Sequence, residues 1–224
     1  MRKQHSLLSK LVILSSIQLA LLSLTGCTST KIWLSEQFGN EKREQLVSSV
    51  ESARDAQEDA KQQFSTALDE FLSITSGDQA TADLEAKYSQ IEAAYESSSS
   101  KAAKVYSKIE TVDAVAKALF KEWKNELEEY ESPKLRASSQ KQLNLTRQRY
   151  NNLVGAMNEA AGKMDPVLSA FKDQTLFLKH NLNARAIASL ETDLNEIRTE
   201  VAILIEEMEA SIAEANEFID SLQD

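Results

Sequence analysis

The 224-residue sequence has few of the residues on which most catalytic and metal sites depend. It contains one cysteine and two histidines, so an internal disulfide is excluded, and so are the usual cysteine–histidine zinc sites. Patterns such as GxSxG, HExxH, a phosphate-binding loop or a dinucleotide-binding loop do not occur. We therefore expect a protein that is not an enzyme and that holds no metal or cofactor.

Glycine and proline are also scarce, with five and two residues, and aromatic residues make up only 6% of the chain. Helix-forming residues (Ala, Glu, Gln, Lys and Leu) are abundant, strand-like alternation is missing, and no repeat of fixed period is found. This balance predicts an all-α fold, an elongated antiparallel helical bundle or coiled coil of three to four long helices.

The N-terminus has the pattern of an export signal. Three basic residues precede an apolar run at 11–24, which is shorter than the roughly 20 residues that span a bilayer. The run ends in Leu24-Thr25-Gly26-Cys27, which resembles the lipobox of bacterial lipoproteins. The resemblance implies diacylglycerol on Cys27, cleavage before it and acylation of the new terminus. We thus expect a signal peptide at 1–26, a lipid-anchored tether at 27–39 and a helical coiled-coil domain at 40–224.

The residue after the lipidated cysteine bears on location. It is Thr28, whereas Asp at this position usually retains such lipoproteins at the inner membrane. We therefore expect the protein at the periplasmic face of the outer membrane, held firmly by several acyl chains. Trp33 and Phe38 either lie at the membrane interface or begin the core.

Charge is unevenly distributed. Without residues 1–26, acids outnumber bases by thirteen, which argues against nucleic acid as a partner. The last 34 residues, 191–224, hold eleven acids and one base. In contrast, residues 132–158 hold no acid and five bases, Lys134, Arg136, Lys141, Arg147 and Arg149. Both blocks are either solvated helix faces or docking surfaces, for each other or for partners.

Apolar residues recur at alternating spacings of three and four, the seam of a heptad repeat. Helices are predicted at about 40–75, 79–131 and 133–162, and from there to about 222. The first seam comprises Leu46, Val50, Ala53, Gln57, Ala60, Phe64, Ala67, Phe71 and Ile74. The last comprises Ile187, Leu190, Leu194, Ile197, Val201, Leu204, Met208, Ser211, Ala215 and Phe218.

Four short stretches bear on where the helices begin, end or bend. Ser76-Gly77-Asp78 is typical of a helix stop, and Ser132-Pro133 of a helix start. The seam continues on both sides of Ser97–Ser100, which favours an unbroken helix over a serine-rich loop. Residues 162–166 form either a turn or a kink, and we favour a kink because Met164, Val167 and Phe171 keep the register.

The stretch FLKHNLNARAIASL, residues 177–190, interrupts the seam with polar residues. Its apolar residues are four apart, which predicts a stutter within a helix. We expect partial burial there of His180, Asn181, Asn183 and Arg185. They would form either a polar layer that sets helix register or a recognition patch for an envelope partner, whereas a catalytic or metal role for His180 lacks companion residues.

Four stretches resemble a bacterial lipoprotein family known only as domain of unknown function 2959. They are ESARDAQEDAKQQF (51–64), ALFKEWKNELEEY (118–130), MDPVLSAFKDQTLFLKHNLNARAIASL (164–190) and EMEASIAEANEFI (207–219). The resemblance covers the chain from about residue 40 onwards. It implies a periplasmic, lipid-anchored helical protein with no assigned activity, and it supplies no catalytic or binding residues.

Two functions fit these observations. The first is a structural or adaptor role, in which a helical rod attached to the membrane through Cys27 meets an envelope protein or a second copy of itself. The alternative is a binding module for an envelope glycan or lipid, which would use the basic run at 134–149 and the polar stretch at 180–185.

Overall fold

The computed structural model describes the backbone at residues 27–75, 84–181 and 184–223, and the side chains at 41–73, 84–181 and 194–223. Within these ranges the chain is helical and has no strand. The helices are α1 (Cys27–Thr75), α2 (Leu84–Glu126), α3 (Pro133–Gly162), α4 (Met164–His180) and α5 (Ala184–Gln223). The chain divides into two compact units, Met1–Glu41 and Lys42–Asp224, and the bundle described below is the second.

Helix α1 begins earlier than the sequence predicts. Residues 27–39, expected as a tether, are already helical. They contain no proline and one glycine, so extending an existing helix through them requires no new nucleation. The predicted seam from Leu46 to Phe71 is fully buried, as expected. The predicted stop at 76–78 and the side chains of Trp33, Phe38 and Ile74 lie outside the described residues.

Helix α2 is continuous through Ser97–Ser100, so the alternative of a serine-rich loop is wrong. Fully buried Ser98 donates a hydrogen bond to the carbonyl of Ala94 (2.8 Å), which satisfies its hydroxyl within the helix. The helix is roughly 65 Å long at 1.5 Å per residue. It ends at Glu126, five residues before the predicted end, because a turn at 127–129 leads into the next helix start.

Helix α3 begins as predicted. Pro133 is its first residue, and the Ser132 hydroxyl accepts from the backbone N–H of Leu135 (3.4 Å). Helices α3 and α4 are separated by Lys163 alone, which has helical dihedrals (φ −77°, ψ −15°). This confirms a kink rather than a turn near Pro166. Met164, Val167 and Phe171 remain buried across it.

Contacts between side chains define the topology. Hydrogen bonds join α2 to its neighbours: Lys101 donates to Asp59 of α1, Tyr150 of α3 donates to Asp113, and Tyr106 donates to Asp165 of α4. On the other side of α1, Ser211 meets Gln57 and Arg54 meets Asn216. Thus α1 and the α3–α4 rod run in one direction, and α2 and α5 run in the other. The structure is an antiparallel four-helix bundle, as the sequence predicts.

The stutter predicted at 177–190 is wrong, because the helix is interrupted there. Helix α4 ends at His180, and α5, which runs in the opposite direction, begins at Ala184. Asn181 closes α4 with a backbone conformation that is neither helical nor extended (φ −133°, ψ 49°). Its side-chain amide donates to the carbonyl of Phe177 (2.9 Å) and its backbone N–H to that of Leu178 (3.1 Å). Asn181 therefore pairs two carbonyls that a helix end leaves without partners.

The core is continuous along the bundle. Phe171 lies fully buried between α1 residues, with its ring centroid 4.6 Å from that of Phe71 and 6.3 Å from that of Phe64. Along α5 the predicted seam residues that the structure describes, from Leu194 to Phe218, are all buried. The side chains of Ile187 and Leu190 lie outside the described residues.

Candidate functional site

The basic run occupies the first half of α3. Lys134, Arg136, Lys141 and Arg149 are exposed, and α3 buries no side chain before Leu143. Arg147 is different, because its guanidinium lies 5.3 Å from the Phe120 ring centroid and donates to the Phe120 carbonyl (3.4 Å). Arg147 thus fastens α3 to α2, and the other four cations face solvent.

The acidic block occupies α5, which packs directly against α3. The two oppositely charged blocks are therefore neighbours within one bundle, where they attract each other over distances comparable to the Debye length. No ion pair shorter than 4.0 Å joins them in the part of the chain that the structure describes. Among the described acids of α5, Glu209 alone forms an ion pair, with Lys61 of α1 (3.6 Å).

A cavity of about 700 Å³ opens at the end of the bundle where these two blocks meet. Helices α1, α2, α3 and α5 all contribute to its walls. Its charged and aromatic lining consists of Arg43, Trp123, Arg149, Glu217 and Asp220. The Arg43 guanidinium lies 5.9 Å from the Trp123 ring centroid, and the indole N–H donates to the Ser139 hydroxyl (2.9 Å).

Two tyrosine–aspartate pairs fix the rod α3–α4 against α2. The hydroxyl of Tyr150 donates to Asp113 (2.9 Å), and that of Tyr106 lies 2.9 Å from both Asp165 Oδ1 and the Ala161 carbonyl oxygen. Burial, assisted by the Asp165 hydrogen bond, raises the pKa of Tyr106 to about 12. Lys117, and then Tyr150, lower the pKa of Asp113. Tyr106 thus stabilises the kink by binding the backbone on one side of Lys163 and a side chain on the other.

The polar stretch does not form a buried layer in the described residues. His180 is exposed, against the expected partial burial, because it is the last residue of α4. Asn181 is half-buried and serves as the helix cap. Asn183 and the side chain of Arg185 lie outside the described residues.

A buried polar layer does exist, but at a different level of the bundle. Gln57 of α1 and Ser211 of α5 are both fully buried, and the Ser211 hydroxyl donates to Gln57 Oε1 (3.0 Å). The Gln57 Nε2 has no hydrogen-bond partner among the described residues. Gln57 and Ser211 both occupy seam positions in the sequence. A polar residue within an apolar seam was therefore the sequence signal that could have indicated this buried layer.

The described residues contain neither a cluster of metal ligands nor a membrane-spanning helix. No group of three or more His, Cys, Asp or Glu side chains there is placed to hold a metal ion. No helix in the same part of the chain is apolar enough over a sufficient length to cross a membrane. The apolar run at 11–24 and the side chain of Cys27 lie outside the described residues.

Fold and site together define a protein of the antiparallel four-helix-bundle class, with a charged cavity at one end. The chain belongs to the family described as "Protein of unknown function (DUF2959)", which matches residues 33–222. No curated protein and no solved structure matched the chain significantly. The family assignment confirms the resemblance found in the sequence.

Proposed function

We propose that this chain is a lipid-anchored structural or adaptor protein at the periplasmic face of the outer membrane, where its bundle presents a docking surface to an envelope protein. The observation that carries this proposal is the acidic face of α5. Eight acids lie between Glu196 and Asp220, and of these only Glu209 is engaged in an ion pair in the described structure. A long face of one charge, with a single ion pair in the described structure, suits docking with a basic partner.

The anchor is supported by the sequence Leu24-Thr25-Gly26-Cys27, which directly follows the apolar run. Mass spectrometry of the purified protein should find three acyl chains on a terminus that begins at Cys27, and Cys27→Ala should abolish them. Thr28→Asp should move the protein from the outer-membrane to the inner-membrane fraction. An unmodified Cys27 in the wild-type protein would overturn the proposed anchorage.

The partner can be tested in cells with a photo-crosslinking residue at exposed positions of α5. Glu196, Glu206 and Glu217 are suitable because they face solvent, and Glu110 and Lys121 on α2 are matched controls. We expect one specific adduct from the α5 positions and none from α2. Adducts of equal yield from both helices, or none from α5, would refute the docking surface. An adduct of twice the chain's mass would identify the partner as a second copy.

A second candidate is a binding module for an envelope glycan or lipid, and it is favoured by the exposed cations of α3, which form no ion pair with any described residue. Peptidoglycan or lipopolysaccharide should retain the protein at low salt, and Lys141→Glu should weaken retention without disturbing the core, since Lys141 is exposed. Lys172→Glu, an exposed cation on α4, is the control. Arg147 is unsuitable for this test because its substitution would also break the contact with Phe120.

We also propose that the chain is not an enzyme. Among the residues after position 26, His180 is the single histidine, and it is exposed at a helix end. Replacement of His180 by alanine should leave every cellular phenotype unchanged, and a lost phenotype in a folded variant would contradict this proposal.

A further inference from the structure

The cavity at the end of the bundle combines size with an unusual balance of charge. A volume of about 700 Å³ lies within the range of roughly 300–1,000 Å³ that is typical of small-molecule sites. Its walls carry two guanidinium groups, Arg43 and Arg149, and two carboxylates, Glu217 and Asp220. The four formal charges of the lining therefore cancel.

These opposite charges are not used to hold the helices together. In the described structure, none of the four forms an ion pair within 4.0 Å, although they line one cavity. Arg43 lies near the Trp123 ring instead. The cavity thus offers exposed cationic and anionic groups that are not paired with each other within 4.0 Å in the described structure, with an indole, the Thr146 hydroxyl and the Gln142 amide also on its walls.

This arrangement selects for ligands that carry both signs of charge. A guanidinium binds phosphate through paired N–H donors, and a carboxylate accepts from an ammonium group. A simple anion would meet the repulsion of Glu217 and Asp220, and a simple cation that of Arg43 and Arg149. We propose that the cavity binds a zwitterion with a phosphate and a primary ammonium group, the chemistry of phosphoethanolamine.

The position of the cavity indicates one source for this ligand. The cavity lies at the bundle end formed by Arg43, sixteen residues after Cys27, and not at the end formed by Phe71. If Cys27 carries lipid, as proposed above, the short stretch of chain between Cys27 and Arg43 makes a lipid headgroup the source that we favour. The site itself does not require the anchor, because a soluble phosphoethanolamine compound has the same two charged groups.

Trp123 provides a direct readout of occupancy. The full protein is purified in a non-ionic detergent with Trp33→Phe, so that Trp123 is its only tryptophan. Glycerophosphoethanolamine is then titrated while the emission of Trp123 is recorded. We expect a saturable change in emission, with apparent affinity at least tenfold weaker for glycerophosphoglycerol and for ethanolamine, each of which carries one of the two charges.

Two variants separate the charged groups, and each has a matched control. Arg149→Glu should weaken binding of glycerophosphoethanolamine at least tenfold, and so should Glu217→Gln with Asp220→Asn. Lys172→Glu, and Glu196→Gln with Glu206→Gln, make the same charge changes at exposed sites away from the cavity and should leave binding unchanged. Melting curves from circular dichroism establish that each variant is folded. No saturable response, or equal responses in cavity and control variants, would overturn the proposal.

Vesicles distinguish the two sources. The lipidated protein is reconstituted in phosphatidylcholine vesicles with or without phosphatidylethanolamine. A change in Trp123 emission that requires phosphatidylethanolamine would identify a lipid headgroup, and a response to the soluble probe alone would identify a free ligand. The lipid anchor is tested separately by mass spectrometry of the acyl chains on Cys27. A failure of the anchor proposal can therefore be told apart from a failure of the proposed ligand site.

Discussion

The polar layer in the core provides the sharpest test of the packing described here. Gln57 and Ser211 are fully buried and hydrogen-bonded to each other across the α1–α5 interface, and the Gln57 Nε2 has no partner in the part of the chain that the structure describes. We consider three variants: Ser211→Ala, Gln57→Leu and the two combined. Leucine has nearly the volume of glutamine and no polar group to satisfy.

The expected changes in the free energy of unfolding differ between the variants, because Ser211 can find another hydrogen-bond acceptor and Gln57 cannot. Ser211→Ala leaves the whole amide of Gln57 unpaired, which costs about 1–3 kcal/mol. Gln57→Leu removes the unpaired Nε2, and the remaining hydroxyl of Ser211 can bond to a carbonyl of its own helix. The double variant removes both polar groups, so its stability should fall within about 1 kcal/mol of the wild type or exceed it.

Urea unfolding followed by circular dichroism at 222 nm measures these differences, with unchanged m-values as the test that the folded states are comparable. Thermal unfolding should show a fall of roughly 3–9 °C for Ser211→Ala, given the usual scaling for a domain of about 200 residues. Ser98→Ala is the control, since Ser98 is equally buried but bonded only within α2. A cost for Ser211→Ala no larger than that for Ser98→Ala, or no recovery of stability when Gln57→Leu is added, would refute the energetic role of the hydrogen bond between Ser211 and Gln57.

Three further predictions concern the core, the kink and a cap. Phe171→Ala should destabilise the fold by about 3–5 kcal/mol in urea unfolding, because it empties the space between two α1 rings; exposed Leu176→Ala should cost under about 0.5 kcal/mol. With the pKa of Tyr106 raised to about 12, the stability that its protonated hydroxyl contributes is complete below pH 10 and lost as the pH rises towards 12. Tyr106→Phe should remove part of that loss in unfolding measured from pH 9 to 12. Ser132→Ala should cost about 1 kcal/mol, since the backbone N–H of Leu135 loses its acceptor.

Each of these has a clear contrary result. A cost under about 1 kcal/mol for Phe171→Ala would mean that the stacked rings do not carry the α1–α4 contact. An identical alkaline loss in Tyr106→Phe would assign that loss to other groups. A cost for Ser132→Ala no larger than for exposed Ser138→Ala would remove the hydroxyl as a cap.

Local patterns predicted the helices well where one physical cause dominates. The heptad seams of α1 and α5 identified the buried residues because a long helix in a bundle buries one stripe over its whole length. Ser132-Pro133 located the start of α3 because cap and proline geometry act within a few residues. The kink near Pro166 was also predicted, since the register of Met164 and Phe171 carries across it.

The chain reversal after α4 was missed for an equally physical reason. Spacing by four residues around Leu178 is consistent with a stutter and with the end of one helix and the start of another. What distinguishes them is the direction of the following helix, which depends on contacts more than a hundred residues apart, such as that of Ser211 with Gln57. In the sequence, Asn181 is a polar residue that interrupts an apolar seam. In the structure, it caps the end of α4.

The sequence by itself determined the class of fold, the buried stripe of each helix and the family, because periodicity, capping and characteristic stretches are properties of neighbouring residues. Only the tertiary structure decided which helices are neighbours. It placed basic α3 beside acidic α5, joined Gln57 to Ser211, and gathered Arg43, Arg149 and Glu217 around one cavity. These residues are far apart along the chain, and it is the antiparallel packing of the four helical rods that brings their charges together.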